Sequence, residues 1–126
     1  MSYMNRRGNV RNPFQGDAKK VLCVCSAGLL RSPTAANVLH QHYGHNTQSV
    51  GANGEYALVP VDAVLCEWAD EVVFVEEDVY NYVWPNFSDI LRRKKIIILN
   101  VPDQYEWNDP ELRQIIKQQY EEKVDV

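Results

Sequence analysis

Val21-Leu22-Cys23-Val24-Cys25-Ser26-Ala27-Gly28-Leu29-Leu30-Arg31-Ser32-Pro33 is the stretch that decides the fold. Its first four residues are continuously apolar and rich in β-branched or small side chains, as a strand buried on both faces requires. Ser26-Ala27-Gly28 then breaks the run, and Ser32-Pro33 places a proline where a first helical turn accepts one, its missing N–H being unpaired there anyway. Ala35, Ala36, Val38, Leu39 and Tyr43 fall on one face at helical spacing, and Gly44 stops the segment. The opening unit is therefore strand, loop, helix.

Further along the chain the same unit recurs. Thr47 to Val50 reads as a second strand and Val61 to Trp68 as a short helix. Glu71 to Val75 is a third strand, Asp78 to Arg93 a helical region interrupted at Pro85, and Lys95 to Asn100 a fourth strand. A last amphipathic helix begins at Asp109-Pro110-Glu111, with Asp109 as N-cap and Leu112, Ile115, Ile116 and Tyr120 on its apolar side. Four such units in series predict an α/β three-layer sandwich, a parallel sheet with helices on both faces. Ligands in such folds bind beyond the carboxyl ends of the strands, so the loops after Cys25 and after Val101 should share one edge.

With 126 residues, 45% hydrophobic and 24% charged, the chain has the size and composition of one globular domain. Residues 1–18 are polar, carry Arg6, Arg7 and Arg11, and read as a flexible arm before a domain spanning 19–126. No apolar run approaches the roughly 20 residues that cross a bilayer, and the N-terminus has no secretory signal, so a cytoplasmic location without membrane partners is expected. Thirteen Lys plus Arg against seventeen Asp plus Glu give a net charge of −4, which disfavours nucleic acid as a partner and means that any anion is held locally. Cys23, Cys25 and Cys66 are an odd number without metal spacing, so neither a disulfide framework nor a metal site organises the fold. His40, His42 and His45 crowd the end of the first helix, where 40 and 42 face different sides.

Cys25 is followed six positions later by Arg31 and then by Ser32. The five residues between a strand end and a helix start can curl so that successive N–H groups of Ser26, Ala27, Gly28, Leu29 and Leu30, joined by those of Arg31 and Ser32 at the helix start, surround a tetrahedral anion. Arg31 can set a planar guanidinium against two phosphate oxygens. Such positive surroundings favour thiolate over thiol at Cys25, beneath the bound phosphate and in line with its ester bond. Ser32 could donate a hydrogen bond to that sulfur. Cys and Arg six apart are common by chance; the strand before them, the Gly between them and Ser-Pro after them make the pattern specific.

The string from Val21 to Leu39 resembles the opening of the low-molecular-weight protein tyrosine phosphatases: apolar strand, Cys, five residues, Arg, Ser, Pro. Asn100-Val101-Pro102-Asp103-Gln104-Tyr105 resembles that family's late acid-bearing segment, Ser49-Val50-Gly51 its Ser-Ala-Gly, and Ala69 to Val75 its third strand. The likeness runs from about Lys20 to Glu122 and is nearest to the short branch of the superfamily. It implies a four-stranded sheet in the order 2-1-3-4, and hydrolysis of phosphotyrosine or similar aryl phosphates on proteins or small molecules through a phosphocysteine, without a cofactor or metal. Cys25 would be the nucleophile, Arg31 the phosphate ligand and Asp103 the general acid, preferred over Asp109, whose N-cap role already accounts for it. Tyr105, Trp107 and Tyr56 are candidate walls of an aryl cleft. Two departures stand out. Gly28 replaces the usual Asn, keeping a left-handed backbone accessible, and Leu30 replaces a second cysteine, which removes disulfide protection within the loop. Cys23 reads first as core.

Two other classes fit the loop. An arsenate reductase of related fold would need relay cysteines beyond strand three, whereas Cys66 precedes that strand. A phosphoryl carrier or phosphopeptide-binding module would keep the nest but avoid a placed acid. Glu76, Glu77 and Asp78 read as a solvated cluster at a helix start, and Arg92 to Lys95 as a solvent-facing run. The oligomeric state is not legible.

Overall fold

A computed structural model describes residues 18–26, 31–52, 60–102 and 108–124. Its elements in chain order are β1 (Lys20–Cys25), α1 (Arg31–Tyr43), β2 (Asn46–Gly51), α2 (Ala63–Trp68), β3 (Glu71–Phe74), α3 (Glu77–Leu91), β4 (Lys95–Ile98) and α4 (Pro110–Val124). All strands are parallel, in the order β2-β1-β3-β4. The three-layer α/β sandwich and its strand order are as expected. Residues 1–17 of the expected arm lie outside the described residues.

β1 is central because it pairs on both edges: Val21 to Val24 face Thr47 to Val50 on β2 and Glu71 to Phe74 on β3. Val21, Leu22, Cys23 and Val24 are fully buried, which explains a run with no polar alternation. Each large apolar side chain sealed there contributes about 1.5–3 kcal/mol. Helices α1 and α4 pack against each other, as do α2 and α3. Right-handed crossovers account for the two layers: the step from β1 to β2 and the step back across β1 to β3 run in opposite directions, so α1 and α2 cover opposite faces. That reversal leaves a crevice beyond the carboxyl ends of β1 and β3.

Local chemistry sets the helix ends. Gly44 follows α1 at φ 71° and donates its N–H to the His40 carbonyl at 2.9 Å, the left-handed stop that glycine permits. Asp62 caps α2, accepting from Leu65 N–H at 2.8 Å, so that helix starts after the expected Val61. Asp109 accepts from Glu111 N–H at 2.8 Å, the N-cap contact expected of it. α3 departs from expectation: it runs through Pro85, and its backbone leaves helical values at Phe87 (φ −134°, ψ 18°) instead. β4 ends at Ile98, two residues short of the expected Asn100.

At the opposite edge of the sheet from Cys25, the carboxylate of Glu71 is buried. It accepts hydrogen bonds from Tyr120 OH at 2.7 Å and Lys19 Nζ at 3.2 Å. Burial and this contact push the Tyr120 phenol well above its ordinary value. His45 lies beside it, with Nε2 3.3 Å from Tyr120 OH and its ring stacked on Tyr43. No helix among the described residues is long and apolar enough to cross a membrane.

Candidate active site

Cys25 closes β1 and is almost fully buried. Its thiol donates to Ser32 Oγ at 3.2 Å, and that hydroxyl donates in turn to the Val50 carbonyl at 3.3 Å. Ser32 lies in the first turn of α1, so the strand end and the helix start meet across the loop between them, as the spacing implied. If the thiol proton leaves, the hydroxyl is placed to turn from Val50 toward sulfur, and the longer of its two contacts is the one surrendered. Ala52 N–H donates to the Cys25 carbonyl at 2.7 Å, which holds the end of β2 against the end of β1.

Arg31 is the buried cation of this edge, with 3% of its surface exposed. Its Nη1 donates to the Val101 carbonyl at 2.8 Å and to the Glu76 carboxylate. A guanidinium removed from water requires such partners, and Glu76 supplies the opposite charge. Glu76 is therefore no part of a merely solvated cluster. It follows β3, 45 residues from Arg31, and only the pairing of β1 with β3 brings the two together. The contact to Val101 also confirms that the loops after β1 and β4 share an edge.

Asn108, at φ 64°, takes a left-handed conformation that asparagine tolerates, and its N–H donates to Thr34 Oγ1 at 2.8 Å. Arg113 reaches both Asn108 Oδ1 and Asn37 Oδ1, fastening the same turn to α1. Val101 and Asn108 are thus each anchored at the first turn of α1. Ala27, Gly28, Leu29, Leu30, Tyr56, Asp103, Tyr105 and Trp107 lie outside the described residues.

A cleft of about 310 Å³ opens over this edge. Ser26 and Arg31 line it from the β1 side and Ala52 from β2, while Glu76, Asp78, Val79 and Tyr82 form the wall after β3. This wall was not legible beforehand, because Glu76, Asp78 and Tyr82 look in sequence like the exposed start of a helix. Position relative to the crevice between β1 and β3 is the signal that could have found it. Cys23 is fully buried and its thiol is pushed far up by burial, with Glu71 as the next cause, in keeping with a core role. The Cys66 thiol is pushed up to about 11, first by burial and then by Asp62. Among the described residues, no three His, Cys, Asp or Glu side chains are grouped to hold a metal ion. In the expected basic run, Arg93 pairs with Glu67 at 2.9 Å and Lys94 with the same carboxylate at 3.2 Å.

The sequence matches no family model and no curated protein. Solved structures do match. Wzb of Vibrio vulnificus in complex with benzylphosphonate superposes with a TM-score of 0.67 at 17% identity, covering 82% of this chain and 95% of that one. The tyrosine phosphatase AmsI of Erwinia amylovora gives 0.68 at 16% identity, covering 89% and 95%. The YwlE arginine phosphatase of Geobacillus stearothermophilus gives 0.63 at 17%, covering 85% and 93%. The chain has the fold of the low-molecular-weight tyrosine phosphatases over most of its length.

Proposed function

We propose that this protein is a cysteine-dependent phosphatase that hydrolyses phosphotyrosine or similar aryl phosphate monoesters through a phosphocysteine. One observation carries the reading: the Cys25 thiol and Ser32 hydroxyl meet at 3.2 Å on the same strand edge where the Arg31 guanidinium is held buried against Glu76. A structural thiol has no need of a buried guanidinium in the next turn; a thiolate facing a phosphate dianion does.

In the first step the Cys25 thiolate attacks phosphorus, and the bond to the aryl oxygen breaks as Asp103 passes it a proton. In the second, Asp103 takes a proton from water, water attacks the phosphocysteine, and the S–P bond breaks to return thiolate and inorganic phosphate. Arg31 and the amides of residues 26–32 hold the equatorial oxygens through both steps. Support for Asp103 comes from its place one residue beyond Pro102, in a segment whose two ends, at Val101 and Asn108, are anchored to α1. Tyr56, Tyr105 and Trp107 are proposed as the apolar faces beside the aryl ring, in a protein acting in the cytoplasm. The benzylphosphonate bound by the Vibrio protein is an aryl-bearing phosphoryl group of this kind.

The test is hydrolysis of p-nitrophenyl phosphate and of phosphotyrosine, with phosphoarginine as comparison because one structural neighbour is an arginine phosphatase. Turnover that survives chelator and is abolished in Cys25→Ser supports the proposal. Thiol-dependent reduction of arsenate would favour the reductase, and stable phosphorylation without release of phosphate would favour a carrier.

A further inference from the structure

The cleft has a charge balance opposite to that expected of a simple anion site. Among the described residues its lining holds one guanidinium, Arg31, against two carboxylates, Glu76 and Asp78. Glu76 is spoken for by Arg31. Asp78 is exposed and makes no hydrogen bond or ion pair among the described residues. Tyr82 stands one helical turn further along α3, on the same face of the helix, and also lines the cleft. Its ring is 62% exposed, whereas the nearby rings of Phe74, Tyr80 and Trp84 pack on one another. No cation of α3 neutralises Asp78: Arg92, just beyond its end, pairs with Asp89, and Arg93 with Glu67.

We propose that Asp78 and Tyr82 form a subsite beside the phosphoryl pocket for a Lys or Arg next to the phosphorylated residue, so that the preferred substrates are phosphotyrosyl peptides with a basic flank. This rests on the aryl phosphatase reading above and adds the substrate's surroundings to it. A phosphate monoester brings two negative charges to described lining residues that are already net negative, and a cation carried by the substrate offsets that repulsion. A carboxylate and an exposed aromatic ring four residues apart on a helix suit such a group. The carboxylate meets the ammonium or guanidinium, while the ring face takes the charge or the methylene stem.

The experiment compares kcat/KM for two phosphotyrosyl peptides of one sequence, flanked on both sides either by Lys or by Glu. Wild-type protein should favour the Lys peptide about tenfold at low salt, the combined size of an exposed ion pair and a cation–π contact, with the preference shrinking as salt is added. In Asp78→Asn the ratio should fall several-fold, in Asp78→Lys it should invert, and in Tyr82→Leu it should fall by a smaller factor. Both positions are exposed, and melting curves confirm that the variants fold. Equal turnover of the two peptides by wild type, or a Lys preference unchanged in Asp78→Asn and Asp78→Lys, overturns the subsite while p-nitrophenyl phosphate hydrolysis leaves the phosphatase standing. Failure to hydrolyse any aryl phosphate overturns both.

Discussion

Glu76→Gln removes the charge that compensates Arg31 while keeping the size and hydrogen-bonding capacity of the side chain. Arg31 is 3% exposed, so its guanidinium cannot turn to water for a replacement partner. Breaking a fully buried pair from one side costs about 3–5 kcal/mol. Glu76, however, is 32% exposed, and the Val101 carbonyl still accepts from the same Nη1. The expected loss is therefore smaller, about 2 kcal/mol, near the value of a hydrogen bond between charged groups. In a domain of this size that lowers Tm by about 6–10 °C. The same substitution should strengthen binding of inorganic phosphate by about tenfold, because an anion that repels the ligand and shares its guanidinium has gone. Millimolar phosphate should then restore most of the lost Tm, since ligand that binds only the folded state stabilises it by mass action. Differential scanning fluorimetry with and without phosphate reads both effects. An unchanged Tm would show that Arg31 does not depend on Glu76, and weaker phosphate binding would show that Glu76 does not compete with the ligand.

Ser32→Ala removes the hydroxyl 3.2 Å from the Cys25 sulfur and should lower kcat on p-nitrophenyl phosphate by about 10- to 150-fold, the worth of one hydrogen bond to a charged group, with little change in phosphate affinity. Asp103→Asn should slow turnover by about 100-fold or more on poor leaving groups. Asp109→Ala should instead cost about 1 kcal/mol of stability through loss of its cap on α4, leaving kcat close to wild type; equal kinetic losses at the two aspartates would end the preference for Asp103. Burial, reinforced by Lys19 and partly offset by Glu71, holds His45 below its ordinary value of 6.5. Folding thus favours neutral His45, and its contribution, complete above that value, is lost as pH falls through it toward the lower folded value. Wild-type Tm should drop over that acid range more steeply than the Tm of His45→Gln, and parallel pH profiles would contradict the assignment.

The sheet was legible because each strand carries its own signature. Val21 to Val24 is apolar on both faces, and Glu71 to Phe74 and Lys95 to Ile98 repeat the pattern after helical segments, so the parallel direction follows from the alternation of strand and helix, whereas the order 2-1-3-4 came from the family resemblance. The meeting of Cys25 and Ser32 was legible for the same reason: both lie within one strand–loop–helix unit. Glu76 was not, since its partner is distant in the chain and a Glu-Glu-Asp run before a helix is usually solvated. In sequence Glu71 reads only as a strand start; its buried carboxylate depends on Lys19 and on Tyr120 from the last helix, partners no local pattern reveals. Pro85 misled because proline usually breaks a helix interior, whereas here the irregular residue is Phe87.

The central claim is covalent chemistry at one sulfur, and rapid acid quench after mixing with a phosphorus-32-labelled aryl phosphate tests it most directly. The label should appear on the peptide containing Cys25, accumulate when Asp103→Asn slows hydrolysis of the intermediate, and be absent from Cys25→Ala. Release of phosphate with label on another residue, or undiminished release from Cys25→Ala, would contradict the account.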